Sequence, residues 1–494
     1  MLLQLDFTRR LLPRGACSCI LYSMGVGYMD QEVELLAPAG GIAAFHAAVR
    51  GGADAVYLGL QSFNARRGAD NFTIDTFADA CAFAHLRGVN VYVTLNTAIL
   101  PGEVDSAMET ARQAYRAGAD AFIVQDIGIA SELSRTLPQA RLHISTQMNT
   151  HNEAGMLAAA QLGAARVTLA RELSLPEIEH LAKVGGQLGL EIETFAHGAL
   201  CVCYSGQCFM SSLIGGRSAN RGLCAQACRL PYALHNVAKN KPLPAPGDHL
   251  LSPQDLCSID LLPDLVRAGV ASLKIEGRMK SPEYVYAVTS AYRTALDRVL
   301  AARDAARESG LQDWTAPGGT EQEHAQLAEA FSRGFTTAYL EGKRGNEIMS
   351  YGRPNNRGVF IGRVASVKNG KAAVACERPI VAGDVLEFWT NKGHFAYTVS
   401  QVDTDRNGNL LLAPERAVGK GDRVFRVRSA EAAFVDDDRL PRIQVQGHAR
   451  CASGMPPRIE FLPGPKPRRP RALRGAASAL QRPSCPSGSP RGSR

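Results

Sequence analysis

Several familiar catalytic motifs are missing from this 494-residue sequence. It contains no H-E-x-x-H zinc motif, no G-x-S-x-G nucleophile elbow and no Walker A loop, so a zinc metalloprotease or a serine hydrolase of familiar type has no support. No apolar run reaches the roughly 18 residues that a membrane-spanning helix needs. We therefore expect a cytoplasmic protein that has no membrane partner.

The chain also lacks a basic surplus outside its C-terminal end. It has 55 Lys and Arg against 47 Asp and Glu, a net charge of +8. The stretch 451–494 holds nine basic residues and one acidic residue, which leaves 46 of each sign in the rest of the chain. Nucleic-acid binding therefore cannot be inferred from net charge.

Eight short apolar runs alternate with alanine-rich amphipathic stretches between about residues 30 and 300. The runs are EVELLAP, AVYLGL, NVYVTLN, AFIVQD, RLHISTQ, RVTLAR, LEIETFAHG and SLKIEG. Continuous apolar strands that follow helices are typical of a parallel sheet buried on both faces. Eight such units predict an α/β fold, a TIM-type (β/α)8 barrel, with an open doubly wound sheet as the alternative.

Composition divides the chain into five segments. They are a disordered leader at 1–29, the barrel at 30–310, a helical linker at 311–355, a small β-barrel module at 356–435, and a linker with a disordered basic tail at 436–494. The module is indicated by short alternating strands with turn residues, such as VKNGKAAVAC, and the tail by Pro, Arg, Ser and Gly, which cannot bury a core. Two alternatives stay open: a leader upstream of a start at Met24 or Met29, and a tail produced by truncation or a frameshift.

Six of the twelve cysteines lie between residues 201 and 257, in a long insertion after strand seven. A cytosolic chain keeps its thiols reduced, so they do not indicate disulfides. Four of them have the spacing C-x6-C-x15-C-x3-C: Cys201, Cys208, Cys224 and Cys228. Four thiolates suit an iron–sulfur cluster or zinc, and iron–sulfur is favoured because only the last pair fits a zinc knuckle. Cys203 and Cys257 are alternatives for the fourth ligand.

Two other interpretations of the cysteines remain. They are plain buried thiols, or the site of a thiol protease in which His197 is the catalytic base and Cys201 the nucleophile. Four further thiols nearby would make that nucleophile prone to oxidation and metal capture, which counts against the protease.

The run SLKIEGR brings three charged side chains to one face of a predicted strand. Lys274, Glu276 and Arg278 alternate along it and lie near its carboxyl end. Loops at the carboxyl ends of barrel strands build the active site, so Lys274 and Glu276 are predicted to be catalytic and Arg278 to bind substrate. An ion pair between Lys274 and Glu276 that closes the barrel mouth is the alternative.

The run HISTQMN has the same alternation. Extended geometry would place on one face His143, Ser145, Gln147 and Asn149. Gln147 is a candidate catalytic residue and Asn149 a candidate substrate contact. Arg217 and Arg221, beside the cysteines, are candidates for holding an anionic substrate by forked hydrogen bonds.

The stretch ETFAHGALCVCYSGQCFMSS resembles the signature of the U32 peptidase family, the collagenase-like proteins. The residues that fit it are Glu193, Phe195, Gly198, Ala199, Leu200, Cys201, Gly206, Cys208, Met210 and Ser211. ELLAPAG, GADAVYLG, GRSANRGLCAQACRLPY and SLKIEGR extend the resemblance over residues 32 to about 290. The SANRG and CRLPY context is most similar to the branch that hydroxylates 23S ribosomal RNA.

The resemblance implies proteolysis through the family name. Its bacterial members with the most similar motifs, however, imply RNA hydroxylation with an iron–sulfur cluster, expected to be 4Fe-4S, and dependence on prephenate as co-substrate. It assigns Cys201, Cys208, Cys224 and Cys228 to the cluster. It also implies that RNA, most specifically a cytidine of 23S rRNA or its precursor, is hydroxylated at carbon 5.

Other functions stay open beside this one. Related branches imply hydroxylation of tRNA wobble uridine or of a ubiquinone precursor. A protein substrate follows only from the collagenase-like alternative, and a non-catalytic RNA-binding factor that uses the basic tail and the β module is the third possibility.

Overall fold

A closed parallel barrel forms the larger part of the protein. The computed structural model describes residues 32–368, 370–430 and 434, together with the backbone of 445–450 and 458–463. The strands of its first part are β1 (Glu34–Pro38), β2 (Ala55–Leu58), β3 (Asn90–Leu95), β4 (Ala121–Val124), β5 (Arg141–Ile144), β6 (Arg166–Thr168), β7 (Glu191–Ala199), β8 (His235–Asn236), β9 (Lys241–Pro242), β10 (Asp255–Cys257) and β11 (Ser272–Ile275). Strands β1 to β7 pair in sequence order, and β11 closes the ring by pairing in parallel with both β7 and β1. The predicted eight-stranded barrel is confirmed.

Most helices follow barrel strands and cover the outside of the barrel, while the short helix at 210–215 lies in the cysteine-rich insertion. They are α1 (Ile42–Arg50), α2 (Ile74–His85), α3 (Val104–Arg116), α4 (Ile127–Thr136), α5 (Glu153–Gln161), α6 (Leu175–Leu188), α7 (Met210–Gly215), α8 (Leu262–Arg267), α9 (Pro282–Glu308) and α10 (Glu321–Ala330). None of the helices in the described ranges is both long enough and apolar enough to cross a membrane. Their apolar faces and the outward strand residues form the main core.

Local sequence signals set the ends of these helices, as α6 illustrates. Ser174 precedes it, Pro176 lies in its first turn, and the carboxylate of Glu177 accepts the backbone N–H of Ser174 at 2.7 Å. This is a capping box, which satisfies donors that the first turn leaves open. Gly189 ends the helix with φ of 71°, a left-handed conformation that glycine adopts without steric cost.

The barrel interior has an apolar half and a charged half. The apolar half consists of Leu36, Ala55, Tyr57, Tyr92, Ala121 and Ile123. The charged half centres on Glu193, whose carboxylate accepts from Lys274 Nζ at 2.7 Å and lies 3.5 Å from Arg166. Burial alone would raise the pKa of Glu193, but the two cations hold it below its usual value. Lys274 therefore pairs with Glu193, and the alternative of a Lys274–Glu276 pair was wrong.

A second, antiparallel sheet follows the barrel. After β12 (Phe335–Thr336), which pairs with β10, it contains β13 (Val359–Lys368), β14 (Lys371–Cys376), β15 (Val385–Thr390), β16 (Gly393–Thr398), β17 (Asp403–Thr404), β18 (Leu410–Leu412) and β19 (Arg423–Arg428). Its strand order is β16-β15-β19-β13-β14-β18-β17. A separate apolar core that includes Ile361, Leu386 and Phe388 supports it. The predicted small β module is confirmed, and α10 lies in the stretch predicted to be a helical linker.

The terminal segments are described only in part. The predicted leader 1–29 lies outside the described residues. Within the predicted linker and tail, 436–494, two strands form an antiparallel hairpin, β20 (Val445–Arg450) and β21 (Arg458–Pro463). The rest of that stretch also lies outside the described residues.

The buried network predicts a large stability effect at Lys274. The variant Lys274→Met keeps the side-chain stem but leaves Glu193 without its 2.7 Å partner, which should lower the free energy of unfolding by roughly 3–5 kcal/mol. The exposed pair Lys183–Glu179 on α6 supplies the control, because Lys183→Met should cost less than about 1 kcal/mol. Urea unfolding curves measure both, and equal midpoints would contradict the structural role.

Candidate active site at the barrel mouth

The cysteine-rich insertion lies on the carboxyl-terminal end of the barrel. Gly206, between two of the candidate cysteines, has φ of 71°, and a Cβ there would lie 1.9 Å from the carbonyl oxygen of Gln147, which follows β5. Ser205 donates its backbone N–H to Glu172, which follows β6, at 3.0 Å. The insertion is therefore in direct backbone contact with the loops that form the mouth.

Further anchors join the insertion to the loops after β2 and β3. The guanidinium of Arg221 binds the carboxylate of Glu103 at 2.6 and 2.8 Å and the carbonyl of Ala98 at 2.8 Å. Gly222 packs against the backbone of Asn64. Arg221 thus holds the insertion in place, whereas the guanidinium of Arg217 is exposed and forms no hydrogen bond or ion pair with a described residue. Their predicted contact with an anionic substrate stays a prediction.

The four predicted cysteine ligands lie within electrostatic reach of one another. Burial raises the pKa of the Cys228 thiol to about 11; Arg229 opposes this shift, and Cys201, Cys224 and Cys208 add to it. These four thiols come from three separated stretches of the insertion. The fold brings them to one place at the barrel rim.

The two alternative ligands differ in position. Burial raises the pKa of Cys203, and the neighbouring thiols of Cys208 and Cys201 raise it further. Cys257 is buried in β10, and its sulfur lies 3.9 Å from the hydroxyl of Tyr292. Cys203 therefore belongs to the thiol group and Cys257 does not. Within the described ranges, no three His, Cys, Asp or Glu side chains lie close enough to hold a single metal ion.

A polar cluster lies at the mouth beside the thiols. Arg66 donates to Glu276 at 2.8 Å, and the hydroxyl of Tyr57 lies 3.4 Å from the second oxygen of that carboxylate. Arg171 and Arg278 add positive charge there. Burial alone would raise the pKa of Glu276, but the three arginines keep it below its usual value, so the carboxylate is ionised at neutral pH. Three cations around one anion leave a net positive charge at the mouth.

Arg278 is held rigidly beside this cluster. Its guanidinium donates to Thr94 Oγ1 at 3.1 Å and to Asn71 Oδ1 at 2.6 Å. Burial lowers its pKa to about 10, which still leaves it charged at neutral pH. Of the three residues predicted from SLKIEGR, Glu276 and Arg278 therefore line the mouth. Lys274 lies further inside the barrel.

The predicted alternation of HISTQMN was wrong beyond Ile144, where β5 ends. A 3-10 turn follows, in which Ser145 accepts the backbone N–H of Gln147, and Asn149 has a left-handed φ of 58°. Gln147 and Asn149 consequently do not continue the face of His143. Gln147 lies at the mouth through its backbone contact with Gly206, and the predicted roles of both side chains stay predictions.

His197 forms no hydrogen bond with a thiol, although Cys257 is its cross-strand partner on β10. The pairing of β11 with β7 shifts its register at this point. The imidazole ring packs against the ring of Tyr292 on α9, with 5.4 Å between centroids. Neither ring nitrogen has a hydrogen-bond partner among the described residues, and burial lowers its pKa to about 4. The dyad of His197 and Cys201 that a thiol protease requires is absent from this geometry.

Arg66, Arg171 and Arg229 were missed in the sequence. Arg66 and Arg171 follow β2 and β6 within the next loops, so the rule that polar residues after strand ends form the site would have found them. Arg229 is adjacent to Cys228 in the sequence, and it donates to the carbonyl of Leu200 at 3.0 Å. Only the fold shows that it joins the two ends of the insertion.

Comparison with known proteins identifies the family. The model of peptidase family U32 matches residues 40–350, more than half of the chain. The chain belongs to peptidase family U32. The match covers the barrel after β1, the cysteine-rich insertion and α10, so the U32 region contains every candidate residue of the mouth.

Named relatives of this U32 protein carry different activities in their names. The 23S rRNA 5-hydroxycytidine synthase of Escherichia coli K12 is 38% identical over 78% of the chain, which spans 57% of that protein. The tRNA hydroxylation protein P1 of Bacillus subtilis 168 is 33% identical over 79% of the chain and 91% of that protein. A collagenase of Porphyromonas gingivalis W83 is 33% identical over 67% of the chain and 80% of that protein.

The close approach at Gly206 predicts a specific effect on the insertion. Gly206→Ala puts a methyl group against the Gln147 carbonyl, so the insertion should shift and its thiols should react faster with a thiol reagent under native conditions. Gly216→Ala is the matched control, because its φ is 64° and no atom lies within 4 Å of the added Cβ. Both variants carry left-handed strain of about 1–2 kcal/mol. Equal thiol reactivity in the two would contradict the anchoring role.

The low pKa of His197 predicts a pH dependence of stability. The pKa of this group is near 6.5 in the unfolded chain and about 4 in the folded chain. Its contribution to the free energy of unfolding is therefore complete above pH 6.5 and is lost as the pH falls from 6.5 to 4. Two pH units in this window correspond to roughly 3 kcal/mol. His197→Phe should remove that dependence, and His180→Phe on the exposed face of α6 should not. Parallel stability curves for wild type and His197→Phe would contradict it.

Proposed function

We propose that this U32 chain is an RNA hydroxylase that adds a hydroxyl group to a pyrimidine base. The observation that carries the proposal is that four thiols lie within electrostatic reach of one another beside a positively charged polar cluster at one barrel mouth. Relatives whose names state rRNA and tRNA hydroxylation support the reaction class. A barrel mouth of this kind is where enzymes of this fold hold their substrates.

The thiols fit an iron–sulfur cluster held by Cys201, Cys208, Cys224 and Cys228. The donor set consists of sulfur alone, which iron–sulfur clusters prefer. The thiolates of a polynuclear cluster bind different iron atoms, so they need not converge on one point as the ligands of a single zinc ion must. We expect a 4Fe-4S cluster, which when bound would supply redox or Lewis-acid chemistry at the mouth.

The protein's own side chains would bind and orient the target. Arg66, Arg171 and Arg278 supply positive charge for phosphate or for a carboxylate co-substrate. Glu276 is ionised and keeps acceptor capacity on the oxygen that Tyr57 approaches at 3.4 Å. Acidic side chains accept hydrogen bonds from the amino group of cytosine. The base would have to leave its stack to reach this cluster, which costs a few kcal/mol.

The finer proposal is a cytidine of 23S rRNA as target and prephenate as required co-substrate. The net change replaces the C5–H bond by C5–OH; with water as the source of the oxygen atom, two protons and two electrons are released, and an electron acceptor outside the protein must take up the electrons. The 38% identity to the rRNA enzyme supports this target. The length of the tRNA hydroxylation protein, of which the chain spans 91%, supports a tRNA uridine as the alternative.

Proteolysis is the second candidate, favoured by the relative named collagenase. The position of His197 argues against it, because a thiol nucleophile needs a base within hydrogen-bond reach. Under this alternative the substrate would be a protein.

The test combines a metal assay with nucleoside analysis. Anaerobically purified protein should contain iron and acid-labile sulfide, and deleting the gene should remove a hydroxylated pyrimidine from 23S rRNA or tRNA by mass spectrometry. Cys201→Ser should lose both the cluster and the modification, while Cys376→Ser, in the β module, should keep both. Starving the cells of prephenate should also abolish the modification.

Other outcomes decide against the proposal. An unchanged map of modified nucleosides after deletion would overturn the hydroxylase. Metal-free protein that cleaves gelatin, and loses this activity in Cys201→Ser, would establish the peptidase instead.

A further inference from the structure

The outer face of the β module carries a row of aromatic rings. Phe360 of β13 lies 5.5 Å from Phe425 of β19, and Phe425 lies 4.5 Å from Trp389 of β15, measured between ring centroids. The next strand, β16, adds His394 at 6.3 Å from Trp389. The row therefore crosses four adjacent strands. We call these rings, with the arginines described next, the aromatic–arginine face.

Three arginines lie over these rings. The guanidinium groups of Arg423 and Arg353 both lie over the ring of Trp389, 5.0 Å and 5.2 Å from its centroid. Arg363 lies 5.9 Å from the centroid of Phe360. An arginine that lies over an aromatic ring keeps its positive charge for a ligand, and its planar guanidinium can also stack on the ligand.

The face is not needed for the core of the module. Strand alternation directs Phe388 and Val424 inward, where both are fully buried, while their neighbours Trp389, Arg423 and Phe425 point outward. Half-buried aromatic rings on the outer face of a sheet leave a surface to which planar ligands can bind. The rings contact one another and the arginines, and the indole N–H of Trp389 donates to Glu387 at 3.3 Å.

The charge of the face is positive. Glu387 is its acid, and this side chain is bound by Arg353 at 2.6 and 2.8 Å. Arg363 and Arg423 are exposed and form no ion pair with any described residue. Two arginines thus remain for a negatively charged ligand.

A cavity of about 310 Å³ opens at one end of the face. It is lined by Trp389, Thr390, Asn391, Gly393, His394 and Arg423. Two rings, an amide and a guanidinium are the groups with which proteins stack and hydrogen-bond a nucleobase that has left its helix.

We propose that the aromatic–arginine face binds single-stranded RNA adjacent to the base that is modified, a proposal that rests on the function proposed above. Bases would stack on Trp389, Phe425 and Phe360, and Arg363 and Arg423 would neutralise phosphates. Rows of aromatic rings in a positive groove bind single strands with little sequence preference. The face would thus supply affinity for the RNA strand, and the barrel mouth would select the base.

A continuous set of contacts joins the face to the mouth. Arg229, next to Cys228, donates to Ser252 at 2.8 Å, and Ser350 donates its backbone N–H to the Ser252 carbonyl at 2.7 Å. The side chain of Ser350 in turn binds the carbonyl of Arg353 at 2.9 Å. Since Arg353 lies over Trp389, this series of hydrogen bonds connects the face to the cysteine-rich insertion.

The test measures RNA affinity separately from modification. Full-length protein is titrated into a fluorescein-labelled uridine oligonucleotide about twelve nucleotides long, and anisotropy gives Kd. Trp389→Ala should weaken binding roughly tenfold or more, and Trp389→Phe should restore most of it because a ring is kept. Arg423→Ala should lower the salt dependence of binding by about 0.7 in the slope of log K against log salt.

Two controls make the result specific. Arg406→Ala removes an exposed arginine from the turn between β17 and β18, at the opposite edge of the sheet, and should leave Kd unchanged. Cys201→Ser should abolish modification and leave Kd unchanged. Arg423 is exposed, so its variant carries the test if Trp389→Ala does not fold.

Three results would overturn the proposal. They are an unaltered Kd in Trp389→Ala and Arg423→Ala, an equal loss in Arg406→Ala, or no binding of the oligonucleotide by the wild type. An unaltered Kd in Trp389→Ala and Arg423→Ala, together with loss of modification in Cys201→Ser, would reject the face and leave the hydroxylase standing.

Discussion

The ion pair between Glu193 and Lys274 ties together the two strands on which the site depends. Glu193 lies on β7 and Lys274 on β11, the pair of strands that closes the barrel. Cys201 follows the end of β7 and Glu276 the end of β11. A buried pair of this kind stabilises little by itself but strongly disfavours any arrangement that separates its members. The two strands that close the barrel therefore also lead into the cysteine-rich insertion and to the carboxylate of Glu276.

The cysteine-rich insertion is held in place by contacts with the carboxyl end of the barrel. It has few strands or helices of its own, and many of its residues are exposed. Its position comes from backbone contacts such as that of Gly206 with Gln147 and from arginines that bind loop carboxylates, such as Arg221 with Glu103. A loop that long keeps one conformation only if its polar groups find partners. The thiols are therefore placed by residues that take no part in the proposed chemistry.

Mouth and β module divide recognition between them in the proposed enzyme. The mouth is fixed by paired charges, which suits the selection of one base. The face around Trp389 is broad, positive and aromatic, which suits binding a strand irrespective of its sequence. On one face of its sheet, the β module places arginines beside aromatic rings. A chain with no overall basic surplus outside its tail can therefore still present a basic surface.

The sequence by itself determined the barrel, the β module and the grouping of the cysteines, because apolar strand runs, helix caps and residue spacing are local signals. It also placed Glu276 and Arg278 at a strand end. Only the tertiary structure decided that Lys274 pairs with Glu193, that the strand of His143 ends before Gln147, that His197 packs under α9, and that Cys257 lies apart from the other thiols. These outcomes depend on which side chains meet across the barrel and on a single shift of register, and neither is encoded in the neighbours of a residue along the chain.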